Sequence, residues 1–289
     1  LFGIEWSFGV RVLLLQDGGQ HEKNKHLREC ITLQKGLLNI GHECVVWGRN
    51  HPHCDSTKLP DFDSYDLVVD LWEAYHEHLD LSSVKTKKFL WSCDAHVQGE
   101  QHYINLMERG KYDAILSNAR DLFRDVPSFW FKPWIDTDYI KRKDIKKEHF
   151  IGFCGNRNPE RNDFIDRLTN TYSMKQDIFV IGNDMVDAIN SYEIHFNKNL
   201  GEPHGLSYRV IETLACGSVL LTNSSYMYND IGLINKKNCL VYDSFEHITE
   251  LIEWAKESNS LESIANEGHK IHHKFSSEER AKDLINYAS

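Results

Sequence analysis

The chain has 289 residues, with 33 Lys and Arg against 43 Asp and Glu and a formal net charge of −10. A hydrophobic content of 41% with 26% charged residues suits two globular domains of ordinary size, no apolar run approaches the ~20 residues that span a bilayer, and the acidic balance argues against broad nucleic-acid binding. Seven irregularly spaced cysteines without a Cys-x-x-Cys pair argue against a disulfide framework or a structural zinc site, and no secretory signal is evident in residues 1–9, so a reducing cytoplasm is expected.

Arg11–Leu15 reads as a first short strand, ended by Asp17-Gly18-Gly19. A helix is predicted from about His26 to Leu38, then a turn at Gly41 and a strand from Cys44 to Trp47. Strands are predicted at Tyr65–Asp70, Lys88–Trp91 and Ala114–Ser117, with a helix over Glu100–Arg109. Phe131–Asp136 closes this half, and the charged segment Lys141–Glu148 reads as a linker, with Lys141, Arg142, Lys143, Lys146 and Lys147 as a local basic cluster. The pattern then restarts: a strand at Phe150–Cys154, a helix over Glu160–Thr171, and strands at Ile178–Gly182 and Tyr192–Phe196. Apolar residues at Leu206, Val210, Ile211 and Leu214 mark a helix that leaves by Gly217, followed by a buried strand at Val219–Thr222. Leu240–Tyr242 is a last short strand, and the rest is helical. The expected fold class is α/β, two Rossmann-like domains facing across a cleft. They would cover residues 10–140 and 149–268, with a C-terminal helix at 269–289 returning to the N-terminal domain.

Three places carry candidate chemistry. The helix N-terminus at Gly205-Leu206-Ser207-Tyr208 would expose unpaired backbone N–H groups and the positive end of the dipole, which suits a phosphate. Arg209 adds a charge there, and Glu212 lies one turn further in, within reach of a sugar hydroxyl. The loop Gly155-Asn156-Arg157-Asn158-Pro159-Glu160-Arg161 follows a strand, where open α/β sheets bind ligands; Gly155 would let the backbone approach, and Arg157 or Arg161 would pair with phosphate. The alternative is an ordinary strand–helix turn with a solvated arginine. Gly182-Asn183 ends the neighbouring strand. In the first half, Asp94 and His96 follow a strand and suit an acid–base pair or a sugar-hydroxyl ligand, or else a helix cap with a surface histidine. Gly18 and Gly19 would allow a phosphate or acceptor to approach. Trp130, Phe131 and Trp134 read as domain core before a sugar platform. Asp136-Thr137-Asp138 reads as a chain turn before a metal site, and His269 and His273, at i and i+4, as a solvated helix face.

The run Gly205 to Gly217, with Arg209-x-x-Glu212 and Leu214-Ala215-Cys216-Gly217, resembles the donor-nucleotide helix of GT-B glycosyltransferases, most closely the branch related to the CgeB spore-coat proteins. The resemblance covers residues 150–250 well and the N-terminal half loosely. Many retaining members carry two glutamates with seven residues between them; here the first of those positions is His204, with Glu202 two residues earlier. The resemblance implies a nucleotide base near Gly182 and Asn183, a diphosphate at the helix tip, ribose hydroxyls on Glu212, and His204 or Glu202 facing the sugar. It also implies Asp94 or His96 on the opposite wall. The function it implies is sugar transfer from a nucleotide-diphosphate sugar, with a UDP-sugar expected, without metal or other cofactor and with retention. The acceptor would be a saccharide, a protein or, against the acidic charge, DNA. The alternatives are a nucleotide-sugar epimerase of the same fold and a non-catalytic relic that binds glycan or nucleic acid.

Overall fold

A computed structural model describes residues 9–19, 21–71, 79–92, 95–200 and 206–289, the side chains of 96 and 97 excepted. The chain divides into two compact units. One holds the described residues up to Trp134 together with Phe275–Ser289, and the other holds Ile135–Lys274.

The first unit is built on six parallel strands, β1 (Arg11–Leu15), β2 (Glu43–Trp47), β3 (Leu67–Asp70), β4 (Lys87–Ser92), β5 (Ala114–Ser117) and β6 (Ser128–Trp130), in the order β2-β1-β3-β4-β5-β6. β3 and β5 are buried along their whole length, which is why they read as unbroken apolar runs rather than alternating ones. Helices α1 (Glu29–Asn39), α2 (Ala95–Gln98) and α3 (Glu100–Gly110) belong to this unit. The C-terminal helix, Ser277–Ala288, packs on α1 so closely that a Cβ at Gly36 would lie 2.2 Å from the Ser277 carbonyl oxygen. Phe131 and Trp134 are buried; the Trp134 indole N–H donates to Thr32 at 2.9 Å, so these aromatics are core.

Two details differ from the sequence reading. The helix predicted from His26 begins instead at Glu29, after a 3-10 turn at Glu22–Leu27. The cause is Gln16, whose side-chain oxygen accepts from the Cys30 N–H at 2.9 Å and so caps the helix from a residue distant in sequence. β6 was not predicted, because an edge strand of three half-buried residues gives no periodic signal.

The second unit carries five parallel strands, β7 (His149–Cys154), β8 (Lys175–Asp177), β9 (Tyr192–Asn197), β10 (Val219–Asn223) and β11 (Leu240–Tyr242), ordered β11-β10-β9-β7-β8. Its helices are α4 (Pro159–Tyr172), α5 (Asn183–Ser191), α6 (Tyr208–Cys216), α7 (Tyr228–Ile231), α8 (Phe245–Glu257) and α9 (Leu261–His269). Its core joins Phe153, Phe196 and Leu221 of the strands to Ile165, Leu168, Ile248 and Leu251 of the helices. The strand predicted at Ile178–Gly182 is absent: the edge strand lies earlier, at Lys175–Asp177, and Phe179 has a left-handed φ of 57° that no strand accepts. From β7 the chain first runs outward to β8 and then crosses back to β9. The strand order therefore reverses between β7 and β9, and ligands of open α/β sheets settle in the crevice beyond the carboxyl ends of such strands. No helix among the described residues is long and apolar enough to cross a membrane.

Candidate functional site

Two arginines converge on that switch point. Arg209, in the first turn of α6, reaches back to the end of β7, and its Nε donates to the Cys154 carbonyl at 2.7 Å. Gly155 makes room for it: a Cβ there would sit 2.1 Å from Arg209 Nη2, and the backbone has a φ of 148°. Arg161, in the first turn of α4, is buried. Its Nε donates to Lys198 O at 3.0 Å and its Nη1 to Asn156 O at 3.3 Å, so it spans the loops after β9 and β7. Asn158 caps α4, accepting from the Arg161 N–H at 3.0 Å, with Pro159 at the first helical position. Both guanidiniums thus spend donors on carbonyl oxygens, and among the described residues neither has a carboxylate within ion-pair distance. Burial, with Arg209 adding its like charge, lowers the Arg161 pKa to about 10, still cationic at neutral pH. Two cations held together in a partly dry site, neither ion-paired among the described residues, leave a strong demand for an anion.

The start of α6 adds to that demand. Ser207 is its N-cap residue, yet its side chain makes no capping bond, and its hydroxyl is buried without a hydrogen-bond partner among the described residues. The first-turn amides of a helix also lack intrahelical partners. Leu206 is buried and anchors the entry to the helix. Glu212, one turn on, is half-buried; desolvation raises its carboxyl above the ordinary range while Arg209 pulls it down.

A fully buried histidine fixes this geometry. The Cys154 N–H donates to His195 Nε2 at 3.2 Å, and the Thr213 hydroxyl donates to Arg209 O at 2.6 Å. That leaves Thr213 Oγ1 to accept from His195 Nδ1–H at 2.7 Å. The ring is therefore neutral with its proton on Nδ1, and burial followed by the charges of Arg209 and Lys147 holds its pKa well below 6.5. His195 ties the end of β7 to the first turn of α6. Nothing in the sequence singles it out except a polar residue set between the apolar Ile194 and Phe196.

A polar network at the ends of β9 and β10 was likewise missed. Asn197 donates to Thr222 Oγ1 and Asn199 Oδ1, both at 3.0 Å, and its own side-chain oxygen is buried without a partner among the described residues. Asn199 donates its backbone N–H to Asn223 Oδ1 and its side-chain amide to the Tyr228 hydroxyl, at 2.7 Å each. The polar run Asn197-Lys198-Asn199 directly after an apolar strand was the available signal.

The remaining sequence candidates fall elsewhere. Arg157 is exposed and engaged along α4, with Asp166 at 2.5 Å and Asn162 at 3.1 Å. Gly182, with a φ of 63°, precedes α5, which begins at Asn183. Just before them Phe179 stands 77% exposed, two residues beyond Asp177, whose carbonyl accepts from the Gly155 N–H at 3.1 Å. In the first unit Gly18 and Gly19 line a cavity of about 630 Å³ with His21, Asn24, Arg28 and Arg49. Asp94, Glu202, His204 and Gly205 lie outside the described residues, as does the side chain of His96, whose backbone belongs to α2. Asp136 turns the chain, accepting from the Asp138 N–H at 3.0 Å.

Residues 155–286 match a family model described as glycosyl transferase-like. No curated protein matches the sequence. Solved structures share the fold at low identity. HepE of Anabaena in complex with UDP-glucose has a TM-score of 0.65 and 12% identity, with 96% of this chain and 98% of that chain covered. Sucrose-phosphate synthase of Thermosynechococcus elongatus has a TM-score of 0.62 and 10% identity, with 96% and 98% covered. An alpha-glucosyltransferase in complex with UDP and a 13-mer DNA has a TM-score of 0.63 and 11% identity, with 97% and 99% covered. The two parallel sheets with their helices match the fold of solved GT-B glycosyltransferases, and the match to the glycosyl transferase-like model begins at Gly155, where the candidate anion site begins.

Proposed function

We propose that this chain transfers a sugar from a nucleotide-diphosphate donor, a UDP-sugar, and that the donor binds the second unit at the β7–β9 switch point. The observation that carries the reading is the pair of guanidiniums, Arg161 and Arg209, which form no ion pair among the described residues, beside the Ser207 hydroxyl at the tip of α6, which has no hydrogen-bond partner among them. A diphosphate satisfies all three. As the glycosidic bond breaks, negative charge grows on the leaving diphosphate. Donors already fixed by Cys154 O, Lys198 O and Asn156 O stabilise it without reorganising. In this reading the arginines and helix amides supply that stabilisation, so the transfer needs no metal. Glu212 holds the ribose hydroxyls, and Phe179, exposed beside the site, offers a face on which a uracil ring stacks. His204 or Glu202 faces the sugar, and retention at the anomeric carbon follows from the family resemblance. Gly18 and Gly19 are assigned to the acceptor or sugar side, and Asp94 or His96 to contact with the sugar or acceptor. The solved complexes with UDP, UDP-glucose and UDP with DNA support the donor class in proteins of this fold.

Thermal stabilisation by UDP, GDP, ADP, CMP and their common sugars, with and without EDTA, tests the reading. Ligand at about 100 times its Kd stabilises the folded state by ~2.7 kcal/mol. A shift selective for UDP and its sugars and unchanged by EDTA is expected. No shift from any nucleotide, or one abolished by EDTA, would refute the donor site or its metal independence respectively.

A further inference from the structure

The second unit has another polar cavity, at the opposite edge of its sheet. It measures about 490 Å³ and is bounded by the approach to β7, the start of β9, the start of β10 and α9. Ligands bound at a strand switch point lie beyond the carboxyl ends, whereas Glu193 and Val219, which line this cavity, stand at the amino ends of β9 and β10. The six residues of β7 alone separate the two edges by about 20 Å.

Lys147 is half-buried there, and its ammonium has one hydrogen bond, to Ser218 Oγ at 2.9 Å. No carboxylate among the described residues lies within ion-pair distance of it, so two of its three donors are unspent. Arg142 stands on the same wall. Its Nη1 donates to Asn266 Oδ1 at 2.8 Å and its Nη2 to Gly217 O at 3.4 Å, and it too has no ion pair among the described residues. Gly217 is glycine for this reason as well as for its helix-ending φ of 68°: a Cβ there would lie 2.1 Å from Arg142 Nε. The guanidinium is thus seated, while Lys143 is occupied by Asp187 at 2.5 Å. Ile145, Val219, Leu261 and Ala265 supply apolar lining next to these cations, and Glu193 and Glu262 supply two acceptors. The volume is that of an ordinary small-molecule site.

We infer that this cavity is a second ligand site, separate from the donor site, and that it takes a small organic anion: a phosphate or carboxylate head on Lys147 and Arg142 with an apolar body against Ile145, Val219 and Leu261. The inference does not rest on the glycosyltransferase reading. Burial lowers the Lys147 pKa to about 8, with Arg142 pushing it down and Cys216 and Glu193 pulling it up; Lys143 and Glu262 line the same cavity. A bound anion reverses that shift, so binding near pH 8 draws up roughly half a proton, and more as the pH rises.

The test is calorimetric titration of the full chain with phenyl phosphate and, separately, benzoate. It is made in two buffers of different ionisation enthalpy, on an Arg209→Ala background that weakens the other anion site. One equivalent binding with proton uptake is expected for at least one of the two, and the stronger one identifies the head group. Lys147→Met is expected to weaken it roughly 10- to 100-fold and to abolish the proton uptake. Arg142→Gln repeats the test if the first variant folds poorly, as judged by its melting midpoint without ligand. Absence of binding by both compounds, or equal binding and proton uptake in the Lys147 and Arg142 variants, would overturn the inference.

Discussion

Gly155→Ala gives a sharp test of how the candidate donor site is built. The new Cβ would stand 2.1 Å from Arg209 Nη2 and 2.8 Å from its Cζ. Carbon contacts settle near 3.5 Å, so the guanidinium must retreat by about 1.4 Å. It cannot do so and keep the 2.7 Å bond from Nε to Cys154 O. The positive φ adds a backbone cost of ~1–2 kcal/mol, which lowers the melting midpoint by several degrees without abolishing folding. The displaced cation loses one charge-assisted contact to diphosphate, worth ~1.5–3 kcal/mol, so UDP affinity should fall roughly 10- to 150-fold. Titration calorimetry of UDP measures this, and a double-mutant cycle with Arg209→Ala assigns it. Once Arg209 is gone, the extra methyl has nothing to displace and should cost little further affinity. UDP affinity within about twofold of the parent in Gly155→Ala would show that Arg209 does not hold the ligand. Full additivity in the double variant would show that Gly155 acts by some route other than Arg209.

Three further outcomes are expected. Glu212→Ala should raise the donor KM and erase discrimination between UDP and 2′-deoxy-UDP, both read by competition kinetics, because the carboxylate is assigned to the ribose hydroxyls. Phe179→Gly should relieve the left-handed strain of a φ of 57° and raise the melting midpoint while weakening UDP binding; a variant that binds UDP unchanged would remove Phe179 from the site. His195 is buried with its pKa well below 6.5, so below pH 6.5 the unfolded chain takes up a proton that the folded chain refuses. Stability should therefore decline on acidification by up to ~1.4 kcal/mol per pH unit from this group, with no such loss above pH 6.5. In His195→Gln the acid-side slope of urea stability should be shallower than in the parent by that amount; identical slopes would mean that His195 does not titrate as described.

The fold was legible wherever burial imposed a continuous pattern. β1, β3, β5 and β10 are covered on both faces, and their runs of Leu, Val and Ile announce them. Where local pattern and tertiary contact disagree, the sequence misleads. Residues 178–182 look like a strand because four of the five are apolar and the fifth is a glycine, yet Phe179 is exposed and the edge strand is the polar triplet Lys175-Gln176-Asp177. β8 is held by β7 through Gly152↔Lys175 and Cys154↔Asp177, and only that pairing, not its composition, makes it a strand.

In the site, the outcome for the two arginines of the β7–α4 loop follows from helical geometry. Arg161 lies four and seven residues before Ile165 and Leu168, on the face of α4 that the core buries, so its guanidinium is carried inward to Lys198 O. Arg157 precedes the helix and swings along its outer surface to Asp166. Stripe position therefore separates a buried guanidinium that lacks an ion pair from one already spent on a surface carboxylate, and the first is the better phosphate ligand. The same reasoning applies to Arg209 and Glu212. Val210, Ile211 and Leu214 define the buried face of α6, and Arg209 and Glu212 flank it, half-buried, at its margin. A side chain at that margin has its stem packed and its polar head turned toward the strand ends, as Arg209 shows by donating to Cys154 O. His195 had no such signal, since its role depends on Cys154, Thr213 and Arg209 from two other elements. Positioning residues of this kind become visible only when strand pairing has brought their partners together.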